Sequence, residues 1–195
     1  MEKRTLSLKK LTQALLKNGS KETTGRSRGI RIREGLERVL GEEKGPLCII
    51  LDFSGMGSVD FSWADEVVAK MISRLWGGEY GEKFLVLKNL SPSQAENIGV
   101  ALERKKLAAL ATGAGGWRLI GSLNNYLVHT LTRVMKRRQL TLRELSEEEG
   151  IELNTGGTRL LNLYKKRLVA RGERAMMGKE DSHRGRQYIY RSLLS

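Results

Sequence analysis

The alternation of apolar and polar residues divides the first third of the chain into a helix, a connector and a second helix. Leucines among lysines at roughly helical spacing predict an amphipathic helix over residues 1–17, which packs on the body of the protein or on a second subunit. A basic connector rich in Gly, Ser and Thr follows over residues 18–29. Apolar positions from Ile32 to Leu40 then predict a helix over residues 30–40 that ends at Gly41.

Residues 45–76 predict a strand, a polar turn and a helix. The run from Leu47 to Phe53 is almost entirely apolar, as expected of a strand covered on both faces. After a turn with glycines at 55 and 57, the apolar spacing becomes helical from Ser62 onward. Ser62 is the predicted N-cap of this helix, because a serine hydroxyl accepts hydrogen bonds from the unpaired amides of a first turn.

Three further elements complete the first part of the chain. Residues 83–87 predict a strand, and residues 92–105 predict a helix with Ser91 as its cap and Pro92 at its first position. Residues 107–121 predict two short strands around a Gly-rich turn. GSLNN at 121–125 is the expected domain boundary.

The C-terminal part predicts helices followed by a hairpin. A helix is expected from Tyr126 to Gln139. Thr141 and Glu144 then form a capping-box pattern for a second helix that ends at Gly150. Asn154 is the candidate cap of a third helix, and residues 168–174 and 186–191 predict two strands around a polar loop.

The distribution of charge separates both ends of the chain from its middle. The net charge is +13. Residues 1–38 carry 11 Lys/Arg and 4 Asp/Glu, residues 39–122 carry 9 and 10, and residues 123–195 carry 15 and 8. Basic segments favour a polyanionic partner, because contacts to phosphates release condensed counterions. The alternative is a solvated surface that only aids solubility.

The strand, turn and helix of residues 45–76 resemble the STAS-like domains of bacterial regulators. The matching pieces are LDFSG at 51–55, VDFS at 59–62 and ADE at 64–66. The resemblance implies an α/β domain over residues 26–121, preceded by the helix and basic connector of residues 1–25.

The STAS-like resemblance also implies a possible phosphorylation or partner site. In the related anti-anti-sigma proteins, the residue after the Asp is a serine or threonine that a partner kinase phosphorylates, whereas this chain has Phe61. Ser62, one place further on, is the candidate acceptor, with Asp60 and Asp65 as its acidic neighbours. An ordinary helix cap is the favoured interpretation of Ser62. The three acidic residues Asp52, Asp60 and Asp65 are also better explained as turn and cap residues than as a metal site.

Residues 141–191 resemble a winged helix-turn-helix DNA-binding domain. NTGGTRLLNLYKKRLV stands in the position of the recognition helix and RQYIYR in that of the second wing strand. The family usually has Gly where this chain has Arg167. The resemblance implies an α+β domain over residues 122–195 that binds double-stranded DNA.

A recognition helix places the N-terminal part of its exposed face against bases in the major groove. With Leu160 and Leu163 in the core, the residues expected on that face are Asn154, Thr155, Thr158, Arg159 and Asn162. Arg159 is suited to guanine and Asn154 or Asn162 to adenine. The residues expected to contact phosphates or flanking DNA are Lys165, Lys166, Arg143, Lys179, His183, Arg184 and Arg186.

Two glycines and two tyrosines complete the expected interface. Gly156 and Gly157 are expected to let the backbone approach phosphate. Tyr188 and Tyr190, on one face of the second wing strand, are expected to pack in the core.

The sequence predicts a cytoplasmic DNA-binding regulator and no enzyme, cofactor or metal centre. His129 and His183 lie in different contexts, and Cys48 lies inside an apolar strand, so no catalytic constellation emerges. No apolar run approaches the ~20 residues that span a bilayer. The STAS-like domain would mediate homodimerisation or sensing. The alternative is a partner-switching protein that acts through contacts with a kinase-like ATPase.

Overall fold

The computed structural model describes residues 1–15, 24–175 and 186–195. It is a mixed α/β protein that divides into two compact units, Met1–Leu123 and Asn124–Ser195. The division falls close to the boundary expected at residues 121–125.

The first unit contains a five-stranded, mostly parallel sheet. The spatial order is β1 (Glu2–Ser7), β2 (Leu47–Asp52), β3 (Lys83–Lys88), β4 (Ala108–Gly113) and β5 (Gly116–Gly121). β1 to β4 are parallel, and β5 pairs antiparallel with β4. Parallel neighbours require crossover connections, and helices occupy these connections. The helices are α1 (Leu8–Leu15), α2 (Arg26–Glu42), α3 (Phe61–Ala64), α4 (Lys70–Gly77) and α5 (Pro92–Glu103).

The core of this unit lies between one face of the sheet and the helices. Ile49, Leu85 and Ala109 belong to one buried cluster with helical residues such as Trp63 and Ile98. Because side chains alternate along a strand, Cys48, Val86 and Leu110 point to the opposite face, where they are also buried. A π-helical segment, Asp65–Ala69, joins α3 to α4.

The predicted amphipathic helix over residues 1–17 was only partly right. Residues 1–17 are not one helix, because Glu2–Ser7 forms β1 and pairs along its whole length with β2. Only Leu8–Leu15 is helical among the described residues of this segment. The leucine spacing indicated the helix, but the sheet pairing that fixes β1 is formed with a strand about 45 residues further along the chain.

The capping prediction at Ser62 was wrong by two positions. Asp60 is the N-cap of α3, and its carboxylate accepts hydrogen bonds from the amides of Trp63 at 2.7 Å and Gly25 at 2.9 Å. Ser62 is the second residue of the helix and is half-buried. The prediction at Ser91 is confirmed, since Ser91 and Gln94 form a reciprocal capping box at the start of α5.

In its described residues, 124–175 and 186–195, the second unit has three helices and a three-stranded antiparallel sheet. Its helices are α6 (Asn125–Arg137), α7 (Leu142–Glu149) and α8 (Leu153–Lys165). Its strands are β6 (Gln139–Thr141), β7 (Val169–Ala175) and β8 (Arg186–Ser192), in the spatial order β6-β8-β7. The sequence did not predict β6. Buried leucines such as Leu131, Leu145, Leu160 and Leu163 supply the core of this unit.

The helix ends of the second unit follow local rules. Thr141 and Glu144 form the predicted capping box, and Gly150 ends α7 with φ of 62°. At the end of α8, the amide of Leu168 donates to the Leu163 carbonyl at 3.0 Å and that of Arg167 to the Tyr164 carbonyl at 2.9 Å. This pair of bonds is a Schellman motif, which requires a left-handed residue, and Arg167 has φ of 55°.

Candidate nucleic-acid interface

The N-terminal half of α8 brings four of the predicted DNA-contacting residues together. Asn154, Thr155 and Thr158 are exposed, and Arg159 is half-buried beside them. Together with Tyr126 of α6, they line an open depression of about 450 Å³. The sequence reasoning missed Tyr126, which is 45% exposed. Its position beside α8 depends on how α6 packs, and the spacing of residues along the chain does not reveal that.

Arg159 is fixed at the edge of this depression. Its Nη1 donates to Oε2 of Glu149 at 3.1 Å, and its guanidinium lies 5.6 Å from the ring centre of Tyr126. Glu149 is the last residue of α7, and its side chain is only 5% exposed. A bidentate contact from Arg159 to guanine would therefore compete with an ion pair that is already formed.

Two further basic side chains, both on α6, lie close to the carboxylate of Glu149. Nδ1 of His129 lies 3.1 Å from its Oε1, and Nε of Arg133 lies 3.9 Å from the same atom. One nearly buried carboxylate thus links α6, α7 and α8. Sequence inspection missed Glu149, because a run of three glutamates at 147–149 reads as a solvated surface.

Asn154 does not cap α8. The N-cap position is Glu152, with no side-chain hydrogen bond to the first turn, and the helix begins at Leu153. Asn154 lies within the first turn, and its backbone carbonyl accepts a hydrogen bond from Oγ1 of Thr158 at 2.9 Å. Because its side chain does not cap the helix, Asn154 is an exposed polar group on the outer face of α8.

Of the two glycines of α8, Gly156 has a packing role that the sequence did not reveal. A Cβ at Gly156 would lie 3.0 Å from both Cδ1 of Leu142 and Oγ of Ser146 on α7. A Cβ at Gly157 would lie 3.7 Å from Leu142. Position 156 therefore favours glycine, because α7 and α8 approach closely there and leave little room for a side chain.

The predicted phosphate contacts differ in accessibility. Lys165 and Arg143 are exposed, whereas Lys166 is half-buried, as is Asn162, which was predicted to contact a base. Burial lowers the pKa of Lys166 from its ordinary value, and the nearby Tyr126 partly opposes this effect. Lys165 and Arg143 are thus the more accessible cations of this set.

The wing prediction is only partly within the described residues. Lys179, His183 and Arg184 lie outside them, and Arg186 is the first residue of β8. Tyr190 is 5% exposed, as expected of a core residue, but Tyr188 is 40% exposed, which corrects its predicted packing in the core.

Tyr188 belongs to an aromatic–cation stack that the sequence did not reveal. The guanidinium of Arg171 on β7 lies 4.3 Å from the ring centres of both Tyr164 and Tyr188. Tyr164 also contacts a second cation, because the guanidinium of Arg167 lies 5.3 Å from its ring centre. Arg171 and Tyr188 meet because of the register of β7 against β8, which pairs Glu173 with Tyr188.

Asp60 and Asp65, the acidic residues of the predicted phosphorylation or partner site, have structural partners. Asp60 caps α3, and Oδ1 of Asp65 accepts from Nζ of Lys105 at 2.9 Å. The ring of Phe61 lies beneath Arg104, 4.5 Å from its guanidinium carbon. Across the described ranges, no group of three or more His, Cys, Asp or Glu side chains is placed to hold a metal ion.

Comparisons with known proteins give no family assignment. No protein-family model matches the chain, and a search of curated proteins finds no match to its sequence. Within the part of the chain that the structure describes, no helix has the length and apolar character needed to cross a membrane.

Proposed function

We propose that this protein is a DNA-binding transcriptional regulator. Its second unit acts as a winged helix-turn-helix domain that binds double-stranded DNA through α8. Its first unit is STAS-like and mediates homodimerisation or the sensing of a signal or partner.

The exposed N-terminal face of α8 carries this proposal. Asn154, Thr155, Thr158 and Arg159 lie together on that face, and all four have side chains that hydrogen-bond to base edges. In helix-turn-helix proteins, the N-terminal part of the recognition helix is the part that meets the bases.

The surroundings of α8 support the same function. The order α6-β6-α7-α8-β7-β8 supplies the helix pair and the hairpin that the resemblance implies. Residues 123–195 carry 15 Lys/Arg and 8 Asp/Glu, and a positive surface of this kind attracts the phosphate backbone. The stack of Tyr164, Arg171 and Tyr188 adds a cation beside the hairpin.

No observation favours the partner-switching alternative. Phe61 has no hydroxyl, and Ser62 lies half-buried within the first turn of α3. A kinase-like ATPase partner would therefore have to recognise this unit without the usual acceptor. Phosphate appearing on Ser62 in the presence of such an ATPase would favour the alternative.

Selection of genomic DNA tests the proposal. Fragments bound by the full chain at physiological salt are sequenced and footprinted, and a palindromic footprint reports a two-fold dimer through its half-site spacing. Asn154→Ala is expected to weaken the selected site by about 1–3 kcal/mol and to affect random duplexes little. Lys165→Ala is expected to weaken both about equally and to reduce the salt slope by about 1.

Lys44→Ala is the matched control, because Lys44 is an exposed lysine of the first unit. It should leave both affinities unchanged. Recovery of no enriched fragments, together with no affinity for mixed fragments at low salt, would reject DNA binding.

A further inference from the structure

The first unit contains a pocket where its parallel strands end. The residues that follow β2 and β3, together with the β4–β5 hairpin, enclose about 550 Å³. Ligand pockets have volumes of roughly 300–1,000 Å³. In open α/β sheets, ligands bind outside the carboxyl ends of the strands, which is where this pocket lies.

Hydrogen bonds between neighbouring loops hold one wall of the pocket in place. Oδ1 of Asp52 accepts from the Ser54 amide at 2.9 Å and from Nδ2 of Asn89 at 3.0 Å, and Nδ2 of Asn89 also donates to Oγ of Ser54 at 2.9 Å. The Asn89 amide donates to the Thr112 carbonyl at 2.9 Å. The ends of β2, β3 and β4 are therefore tied together before any ligand binds.

Gln94 fixes a second wall. Its side chain is almost fully buried, and Nε2 donates to the Gly57 carbonyl at 2.7 Å. Its Oε1 accepts from the Ser91 amide at 2.9 Å. The loop after β2 and the start of α5 are thereby joined, so little ordering entropy would be lost on binding.

One cation lines the pocket and a second lies beside it, whereas the nearby carboxylate of Asp52 is outside the lining and accepts hydrogen bonds from Ser54 and Asn89. Arg118 is exposed and lines the pocket. Nζ of Lys9 lies 3.5 Å from the position that a Cβ would occupy on Gly55, another lining residue. Among the described residues, neither cation has an ion pair or hydrogen-bond partner from its side chain, and none of the lining residues is Asp or Glu. Two cations beside one concave surface attract an anion.

Part of the lining is apolar and aromatic. Trp117 is half-buried at the rim next to Arg118, and Phe53, Met56 and Leu90 contribute apolar surface. A tryptophan ring at a pocket rim offers a flat face to a planar group. The pocket thus combines an apolar platform with a cationic edge.

We propose that this pocket binds a small organic anion in which a phosphate or carboxylate is attached to a planar apolar group. The anionic group contacts Arg118 and Lys9, and the planar group packs on Trp117. This inference specifies the ligand class for the sensing role proposed for the first unit. Its test contains no DNA, so failure of DNA binding and failure of ligand binding are separate results.

Calorimetric titration of the full chain tests the proposal with phenyl phosphate and benzoate as probes. Either probe should bind saturably in the millimolar range or tighter and quench tryptophan fluorescence. Tighter binding of phenyl phosphate identifies the phosphate as the preferred head group, and tighter binding of benzoate identifies the carboxylate. Phenol, which has the ring without the anionic group, should bind at least about fivefold more weakly, because it makes no charge-assisted hydrogen bonds.

Four variants locate the binding site. Arg118→Ala and Lys9→Ala should each raise Kd about five- to tenfold, since each removes one charge-assisted contact. Lys10→Ala and Arg38→Ala are matched controls at exposed cations that are not in the pocket lining and, unlike Lys9, are not near the Cβ position of Gly55; they should leave Kd unchanged. Circular dichroism confirms that each variant is folded.

Three results would overturn the proposal. The first is the absence of saturable heat or quenching with either probe up to about 10 mM, a concentration that detects even weak complexes. The second is phenol binding as tightly as the anions. The third is an equal loss of affinity in the Lys9 and Lys10 variants.

Discussion

Neutralising Glu149 should both destabilise the second unit and release Arg159. Glu149→Gln keeps the shape of the side chain but removes its charge. The carboxylate is 5% exposed and the Arg159 side chain 22%, at a separation of 3.1 Å. Hydrogen bonds to charged groups contribute about 1.5–3 kcal/mol, and the partial exposure of Arg159 reduces this to about 1–2 kcal/mol.

A double-mutant cycle isolates the contribution of the ion pair. Glu149→Gln is combined with Arg159→Met, which keeps the apolar stem of the side chain. Urea unfolding followed by far-UV circular dichroism gives the free energy of unfolding of each variant. We expect a coupling energy of about 1–1.5 kcal/mol, because the two residues are in direct contact.

The pair between Glu148 and Arg137 provides the control cycle. Its atoms are 3.5 Å apart, and the side chains are 29% and 52% exposed. Exposed pairs of this kind contribute about 0.2–1 kcal/mol, so this cycle should give the smaller coupling energy. A coupling for Glu149 and Arg159 below about 0.3 kcal/mol, or no larger than the control, would refute the role assigned to Glu149.

The same substitution should change how the protein binds DNA. An Arg159 without its partner is free to contact phosphate, so the salt dependence of non-specific binding should steepen by up to about 0.9 in the log–log slope. Discrimination between the selected site and random duplexes should fall, because random duplexes gain this sequence-independent phosphate contact. An unchanged slope and unchanged discrimination would show that Glu149 does not control Arg159 at the DNA.

Further predictions concern individual residues in both units. Arg167→Gly should be more stable than Arg167→Ala by about 1 kcal/mol in urea unfolding, because both variants lose the side chain but only glycine tolerates φ of 55° without strain; equal stability would contradict this. Burial raises the pKa of the Cys48 thiol to about 11, so iodoacetamide at neutral pH should label the native protein at least about tenfold more slowly than the urea-unfolded protein. For Asp52, burial acts to raise the pKa, but hydrogen bonds from Ser54 and Asn89 and the charge of Lys88 outweigh it and leave the pKa below its ordinary value. The ionised Asp52 thus stabilises the fold at pH values above its unfolded-state pKa, and this stabilisation is lost as the pH falls through its folded-state pKa. The free energy of unfolding of Asp52→Asn should therefore decrease less at acidic pH than that of the unmodified protein. An equal decrease in both proteins would exclude this contribution.

Features set by a few neighbouring residues were predictable from the sequence. The capping boxes at Ser91 and Thr141 and the glycine end at Gly150 need only residues within one helical turn. The position of Arg167 is instructive, because a glycine is usual there in winged helix-turn-helix domains and the backbone is left-handed. This chain has arginine where glycine is usual, but the backbone at that position adopts the left-handed conformation that favours glycine.

Features set by distant pairing were not predictable. β1 exists because Glu2–Ser7 pairs with Leu47–Asp52, and the leucine spacing of the N-terminus carries no trace of that pairing. The Arg171 stack depends on the register of β7 and β8, and the sequence between the two strands does not determine that register. The ion pair of Glu149 and Arg159 likewise depends on how α7 and α8 pack. The helix that carries the candidate site was thus predictable, but the groups that position its side chains were not.

Fluorescence anisotropy with DNA duplexes tests the central proposal most directly. The full chain is titrated into the genomic duplex recovered by selection and into a random duplex, at about 50 mM and about 200 mM salt. The proposal predicts that the protein binds both duplexes at low salt, that it prefers the selected one, and that Asn154→Ala reduces this preference. The absence of binding to either duplex at low salt, or a preference that Asn154→Ala leaves intact, would contradict DNA reading by α8.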